Sequence, residues 1–480
     1  MRTEKDFIGE LRIPKDALYG IHALRAKNNF PDQTPFYIEW YKGIATVKLA
    51  VYQTYARYKK AVESRYRTAD LPIGFFRDDI IDALIKSATE LIQGRHFDYF
   101  IVPAVQGGAG TSMNMNINEI IANRAIQILS DSPGNYGIVD PFEHANVFQS
   151  TNDVIPTALK ITVMQLLLDL EGKINNLRGT METIERRHRN DLRMGFTQLQ
   201  EAVPSSFGKL FGSYNDALSR DWWRVSKALE RIKIVNIGGG AIGTGISVPT
   251  YMIMEVAPSL QRLTGLPVTR SENLTDQTSN LDSLVEAHAI LKSHAVNLEK
   301  MVSDIRLLSS DLITNKEMKI PQKQVGSSVM PGKTNPVIPE FVISASHKVY
   351  ANDSLITSLC GQGQLELNAY ITVVGHAIID SLKLLIASGH TLRENLLNEL
   401  EIFPGVALKR LYNSPSITTA LTPYIGYNKA TELAYLMKSE KIDIFHANEK
   451  LNYMNNEKLT SVLTPEKLLK LGYQIKDLLE

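Results

Sequence analysis

The 480-residue sequence predicts a mainly α protein organised around a bundle of long helices. Apolar residues recur mostly at steps of three and four, whereas the alternating runs that a half-buried strand needs are few and short. The candidate helices are also long, and such lengths suit a bundle better than compact globular packing. Between Leu281 and Leu308, the residues Leu284, His288, Leu291, Ala295, Leu298, Val302 and Ile305 follow one another at alternating steps of four and three. That spacing draws one narrow apolar seam along a helix.

In chain order, helical spacing covers residues 38–60, 112–131, 155–190, 202–232, 281–308 and 340–400. The last stretch is interrupted near Gly361 and Gly363, where glycine's conformational freedom suits a turn. Pro404-Gly405 closes the series, and shorter helical patterns follow it. The expected organisation is a mainly helical N-terminal domain over 1–145, a central long-helix bundle over 146–402, and a small helical C-terminal domain over 403–480.

Composition narrows the function classes. With 52 Lys and Arg against 51 Asp and Glu, no overall field favours nucleic acid or an anionic membrane, so a small-molecule partner is expected. Cys360 is the only cysteine, which excludes an intramolecular disulfide and a cysteine cluster for zinc or iron and sulfur, and fits a reducing compartment. The ten histidines show no paired metal spacing. The start of the chain lacks an apolar segment before a small-residue cleavage site, and no run of about 18 apolar residues is read anywhere in the chain. A soluble cytoplasmic protein is the expectation.

Four segments carry chemistry. Residues 326–340 read Gly-Ser-Ser-Val-Met-Pro-Gly-Lys-Thr-Asn-Pro-Val-Ile-Pro-Glu, placing two hydroxyls, a cation and an amide between Ser327 and Asn335. Glycines and prolines make this a shaped loop, and its side chains suit carboxylates. Residues 106–119, Gln-Gly-Gly-Ala-Gly-Thr-Ser-Met-Asn-Met-Asn-Ile-Asn-Glu, open with glycines and continue as a helix, so Thr111 and Ser112 lie near a helix start that suits an anion. Gln149-Ser-Thr-Asn-Asp153 is a second polar helix start. Residues 195–204, Gly-Phe-Thr-Gln-Leu-Gln-Glu-Ala-Val-Pro, form the fourth segment. Each of the two helix starts alone reads equally as a plain helix cap, and Ser327 and Ser328 alone could cap the next helix. Their joint occurrence favours a site.

These four segments, in this order and spread over most of the chain, resemble the signature blocks of the aspartase/fumarase superfamily. The resemblance implies a three-domain fold and a homotetramer with a central helical core, in which loops of three subunits build each active site on a dicarboxylate. It makes Ser327 the base that removes a proton from the carbon next to the substrate's distal carboxylate. Thr111, Ser150, Thr151 and Ser328 match the family's donors to that carboxylate. Lys333 and Asn335 match the groups holding the other carboxylate, and Asn152, Thr197 and Gln198 those around the amine. A serine hydroxyl titrates far above neutrality, so Ser327 requires stabilisation of its oxyanion, for which loop backbone donors and Lys333 are the candidates. The intermediate can be held by hydroxyls, amides and an ammonium, so neither metal nor organic cofactor is expected.

Position 198 divides the superfamily. Fumarases place a histidine after the threonine, whereas some aspartases have glutamine, as here. An amide neither gives nor takes a proton near neutral pH, and expelling hydroxide needs proton delivery, while an ammonium already carries its proton. Gln198 therefore points to an amine leaving group, and the segment around His22, Tyr19-Gly-Ile-His-Ala-Leu-Arg25, also looks like aspartase. The expected activity is reversible deamination of L-aspartate to fumarate and ammonia. The alternatives are a class II fumarate hydratase, a lyase on a substituted aspartate, or an inactive scaffold. Departures from the family pattern occur at Phe196, Ser247, 311–319 and 370–372. Gly238-Gly-Gly-Ala-Ile-Gly243 fits a dinucleotide-binding spacing, but Pro249 and the missing strand–helix alternation argue for a mere link between helices. Glu340 matches the fumarase residue that pairs with the histidine, and with Gln198 in place it is expected to make a structural hydrogen bond. His288, on the seam, is expected to be a satisfied core histidine.

Overall fold

The computed structural model describes residues 1–67 and 70–479, and they are mostly helical. They divide into two compact units. Unit 1 comprises Met1–Glu171, Arg224–Ser293 and His347–Leu385, and unit 2 comprises Gly172–Trp223, His294–Ser346 and Ile386–Glu480.

The elements of unit 1 begin with the antiparallel hairpin β1 (Arg2–Asp6) and β2 (Gly9–Ile13), followed by helices α1 (Ile21–Asn29), α2 (Ile38–Glu63), α3 (Asp78–Ile92) and α4 (Thr111–Ile128). Helix α5 (Thr151–Arg187) starts in this unit. Helices α2 and α5 approach closely at Gly43, where a Cβ would lie 2.2 Å from Thr162 Oγ1 and 2.9 Å from the Ala158 carbonyl oxygen. Only glycine fits there. Helix α4 is unusual in burying the polar residues Asn114, Asn116, Asn118, Glu119 and Asn123. Such burial is stable only with partners. Asn116, for example, accepts from Ile101 N at 2.8 Å, and Glu119 accepts from the backbone N–H groups of Gly20, His22 and Ala23 at the start of α1.

Five long helices contribute residues to both units: α5, α6 (Phe207–Ile232), α9 (Asp282–Leu308), α10 (Val337–Cys360) and α11 (Ile371–Asn395). The predicted seam of α9 is buried throughout, no member being more than 1% exposed. His288 is satisfied, with Nδ1 3.0 Å from Asp353 Oδ1 and Nε2 2.8 Å from Ser381 Oγ. The stretch Ile371–Glu399 has the length and apolarity of a membrane span, with mean hydropathy 1.6, which the sequence reading did not single out. Since 61% of its apolar window is buried inside the protein, it reads as a core helix.

In unit 2, β3 (Leu192–Thr197) and β4 (Gln200–Ser206) form an antiparallel hairpin with a register shift between Met194 and Phe196. This corrects the helix expected over 202–232, which starts only at Phe207. Pro204 disfavours helical geometry at Val203, and residues 200–206 pair with β3 instead. Leu192 and Met194 of β3 lie in an apolar cluster with Leu411, Ile417, Leu421, Leu433, Met437 and Ile444 from the C-terminal helices. The first of those helices, α12 (Pro404–Asn413), opens at Pro404, the position of the predicted break. Short strands β7 (Met318–Lys319) and β8 (Glu401–Ile402) pair antiparallel and hold the segment that leads into residues 326–336. Unit 1 completes itself with β5 (Ile234–Val235), α7 (Thr250–Thr264), β6 (Thr269–Arg270) and α8 (Leu274–Ser279), β5 and β6 pairing parallel.

Candidate active site

In unit 1 the starts of α4 and α5 are held together. Gly108 and Gly110 adopt φ of 85° and 87°, turning the chain so that Thr111 opens α4 with its side chain exposed. Asn114, one turn further on, donates through Nδ2 to Thr151 Oγ1 at 3.2 Å and to Asn146 Oδ1 at 3.0 Å. Thr151 is the first residue of α5. Ser150 caps that helix reciprocally: its N–H donates to Asp153 Oδ1 at 2.9 Å, and its Oγ accepts from Asn152 N at 3.3 Å. Two helix N-termini, with their positive dipole ends, thus present Thr111, Ser150 and Thr151. The arrangement suits a carboxylate.

Asp153 is fully buried and saturated with donors, since its second oxygen accepts from Gly238 N at 3.2 Å and Gly240 N at 2.9 Å. The glycine run that mimics a dinucleotide motif is therefore a clamp on the start of α5, and no helix begins until Thr250. Asn152 joins the same clamp by donating from Nδ2 to the Ala241 carbonyl at 2.7 Å. A carbonyl can only accept, so the amide orientation is fixed and Oδ1 is left as an acceptor. Pro156 lies inside α5 and cannot donate to the carbonyl of Asn152. Asn236 replaces the missing bond, its Nδ2 donating to that oxygen at 2.9 Å.

Behind the α5 start lies Lys48, 0% exposed, whose Nζ donates to Gln149 Oε1 at 3.1 Å. Burial pushes its ammonium down to about 7, against the opposing pull of Asp153, and pushes the Asp153 carboxyl up to about 7 against its three N–H donors and Lys48. Three donors aimed at the carboxylate favour its charged form.

In unit 2, Thr197 and Gln198 occupy the tip of the β3–β4 hairpin, where Thr197 pairs with Gln200 across a two-residue turn. Gln198 and Leu199 take φ of 52° and 62°, the left-handed pair that such a turn requires, and Thr197 and Gln198 are exposed. Gln198 lines a cavity of about 420 Å³ together with Phe196, Arg193, Arg410 and Ile313. Two guanidinium groups approach the Phe196 ring, Arg410 at 4.8 Å and Arg193 at 5.7 Å, and both reach toward buried Glu317. Two of the departures from the family pattern, Phe196 and the 311–319 segment, therefore meet in one place.

The loop after Val325 is stapled at its base and open at its tip. Gly326 N donates to the Lys333 carbonyl at 3.0 Å, and Asn335 Nδ2 donates to the Gly326 carbonyl. A Cβ at Gly326 would lie 2.5 Å from the Lys333 oxygen. Ser327 Oγ accepts from the backbone N–H of Val329 at 3.1 Å and of Met330 at 2.9 Å. Those donors fold the loop on itself, so Ser327 does not cap α10, which begins at Val337. Ser328 and Lys333 are exposed. Lys333 and Asn335 line a cavity of about 590 Å³ with Arg306, Lys316 and Lys319, and it shares no lining residue with the cavity at Gln198. Glu340, in the first turn of α10, pairs with Arg306 at 3.3 Å.

The structure thus gathers Thr111, Ser150, Thr151 and Asn152 in unit 1, Thr197 and Gln198 at one tip of unit 2, and Ser327, Ser328, Lys333 and Asn335 in a second place in unit 2. The sequence reading missed the residues that hold the first group, Lys48, Asn114, Asp153 and Asn236. Only the alternation of Asn114, Asn116 and Asn118 with apolar residues inside a helix hinted that a buried polar network was present.

The model of the lyase family matches residues 9–351, and that of the fumarase C C-terminus matches residues 417–470. The chain belongs to the aspartase/fumarase family of lyases. It is 34% identical over 483 residues to an aspartate ammonia-lyase of Bacillus subtilis, covering 100% of this chain and 98% of that one. It is 35% identical over 472 residues to an aspartate ammonia-lyase of Helicobacter pylori, covering 98% of both. Among solved structures, it superposes with a TM-score of 0.90 on a fumarate lyase:delta crystallin from Brucella melitensis bound to cobalt, at 31% identity, covering 98% of this chain and 100% of that one. A class II fumarase from Schistosoma mansoni superposes at 0.87 with 24% identity, covering 97% and 98%, a likeness of fold alone. The family membership makes this chain an enzyme, and the mainly helical fold agrees with its relatives.

Proposed function

We propose that this enzyme is a carbon–nitrogen lyase that reversibly deaminates L-aspartate to fumarate and ammonia by anti elimination. The observation that carries the amine over the hydroxyl is chemical: the hairpin tip presents Gln198, an amide, where a fumarase needs a titratable group. Asn152 agrees, because its fixed amide leaves an oxygen to accept from an ammonium. The aspartate ammonia-lyases among its relatives support the same reading.

In this mechanism Ser327, as the alkoxide, takes the proton from the carbon beside the distal carboxylate, and the electron pair moves onto that carboxylate. The two N–H groups aimed at Ser327 Oγ stabilise the alkoxide, and Lys333 adds a positive field. Thr111, Ser150, Thr151 and Ser328 donate to the aci-carboxylate intermediate, while Lys333 and Asn335 hold the other carboxylate. Collapse of the intermediate forms the double bond of fumarate, and nitrogen leaves with the bonding pair as neutral ammonia. Asn152, Thr197 and Gln198 surround it. We include in the proposal a homotetramer whose subunits share active sites, and the separate cavities at Gln198 and Lys333 within unit 2 fit that requirement.

The test is ultraviolet absorbance of fumarate from purified protein given L-aspartate or L-malate, with Ser327→Ala as control. Fumarate from aspartate alone, absent in the control, is the expected result. Turnover of malate would instead establish a hydratase.

A further inference from the structure

Asp153 poses an electrostatic problem that follows from the reading of unit 1 as a carboxylate site, and the inference below rests on that reading. Its carboxylate is needed to receive Ser150 N, Gly238 N and Gly240 N, yet it places a buried negative charge three residues from Ser150 and two from Thr151. In a low-dielectric interior such a charge repels a dicarboxylate entering at the helix start. Lys48, from a different helix, is wholly buried with Gln149 Oε1, one residue before Ser150, as its hydrogen-bond partner, and its charge favours the ionised Asp153 carboxylate. Gln149 in turn donates from Nε2 to the carbonyls of Ala145 and Val147, so its oxygen is locked toward Lys48. Its own carbonyl receives Asn146 Nδ2, and Asn146 Oδ1 receives Asn114, which also bonds Thr151.

We propose that Lys48 is a positioning residue that neutralises Asp153 behind the carboxylate-binding start of α5, allowing the helix to be clamped by an anion without repelling an anionic substrate. It touches no substrate. Its removal uncovers the Asp153 charge, and the penalty scales with the charge of the ligand.

The experiment measures binding of fumarate, a dianion, and of its monoamide, a monoanion, by calorimetry on the full chain. The proteins are the unaltered enzyme, Lys48→Met, Lys48→Arg, and Lys48→Gln as a neutral variant that can still hydrogen-bond Gln149 should the Met variant not fold. KM and kcat for aspartate are read alongside. A unit charge about 10 Å away at an effective dielectric of about 20 changes an equilibrium roughly tenfold. The neutral variants are therefore expected to bind the monoamide roughly tenfold more weakly and fumarate, which carries a second charge, more weakly still. KM should rise more than kcat falls, and Lys48→Arg should restore the affinity for fumarate. Equal losses for both ligands, or none, would overturn the assignment while leaving the carboxylate site intact. Failure of the unaltered enzyme to bind fumarate would overturn it together with the reading on which it rests.

Discussion

The α5 start and the Ser327 loop are built in opposite ways. At the α5 start three buried side chains make the support: Asp153 takes three backbone donors, Asn236 repairs the gap left by Pro156, and Asn114 ties α4 to Thr151. The Ser327 loop is fastened at Gly326 by Lys333 and Asn335, and beyond that Ser328, Val329, Met330 and Lys333 are exposed. One region has a geometry that is part of the core. The other makes few apolar contacts, so its chemistry and the stability of the fold are separable.

The contrast predicts how substitutions divide between activity and stability. Ser327→Ala should lower kcat by about 10²–10⁴, the usual worth of a positioned base, with no change in melting temperature. A large loss of stability would show that the loop is structural. Thr151→Ala should cost about 2.7–4 kcal/mol of transition-state stabilisation, read as kcat/KM. A near-normal rate would remove Thr151 from the site. Mixing these two inactive variants after dissociation should restore roughly a quarter of the activity if the two residues serve one site from different subunits, since half of each contribution is intact. Persistent inactivity would place them on the same chain in each site.

Asn236→Ala should act in the reverse sense from Ser327→Ala, destabilising the fold by about 1–3 kcal/mol because it leaves the Asn152 carbonyl unpaired. Thermal melting measures this. The smallest expected effect is acid sensitivity away from both regions. Arg124 first, and then His96, hold the Glu90 carboxyl down to about 2 against the cost of its burial. A carboxyl whose folded value is depressed stabilises the fold above its unfolded value of about 4.5, and that stability fades as pH falls toward about 2. Arg124→Met should flatten the melting-temperature profile over that window, and an unchanged profile would assign acid sensitivity to other carboxylates.

Legibility of the sequence followed the range of the interactions. The seam of α9, the break at Pro404 and the helix starts at Thr111 and Thr151 were readable because period, proline and capping chemistry act within a few residues. The hairpin at 192–206 was misread in part, because its second strand forms only by pairing with the first. The apolarity of 371–399 was passed over, and burial identifies it as a core helix. The glycine run at 238–243 shows the limit most clearly. Its spacing fits a phosphate cradle, and only its contact with Asp153, 85 residues away in sequence at Gly238, reveals a clamp.

By itself the sequence determined the helical class, and it supplied the residue set from Ser327 to Asn335 and the amide at position 198 on which the proposed function rests. These depend on residue identity and short spacing. The tertiary structure alone decided that buried Lys48 bonds Gln149 beside the start of α5, that Asn152 presents its oxygen, and that Phe196, Glu317 and Arg410 meet. Buried electrostatics and amide orientation depend on partners far apart in the chain, and no local pattern encodes them.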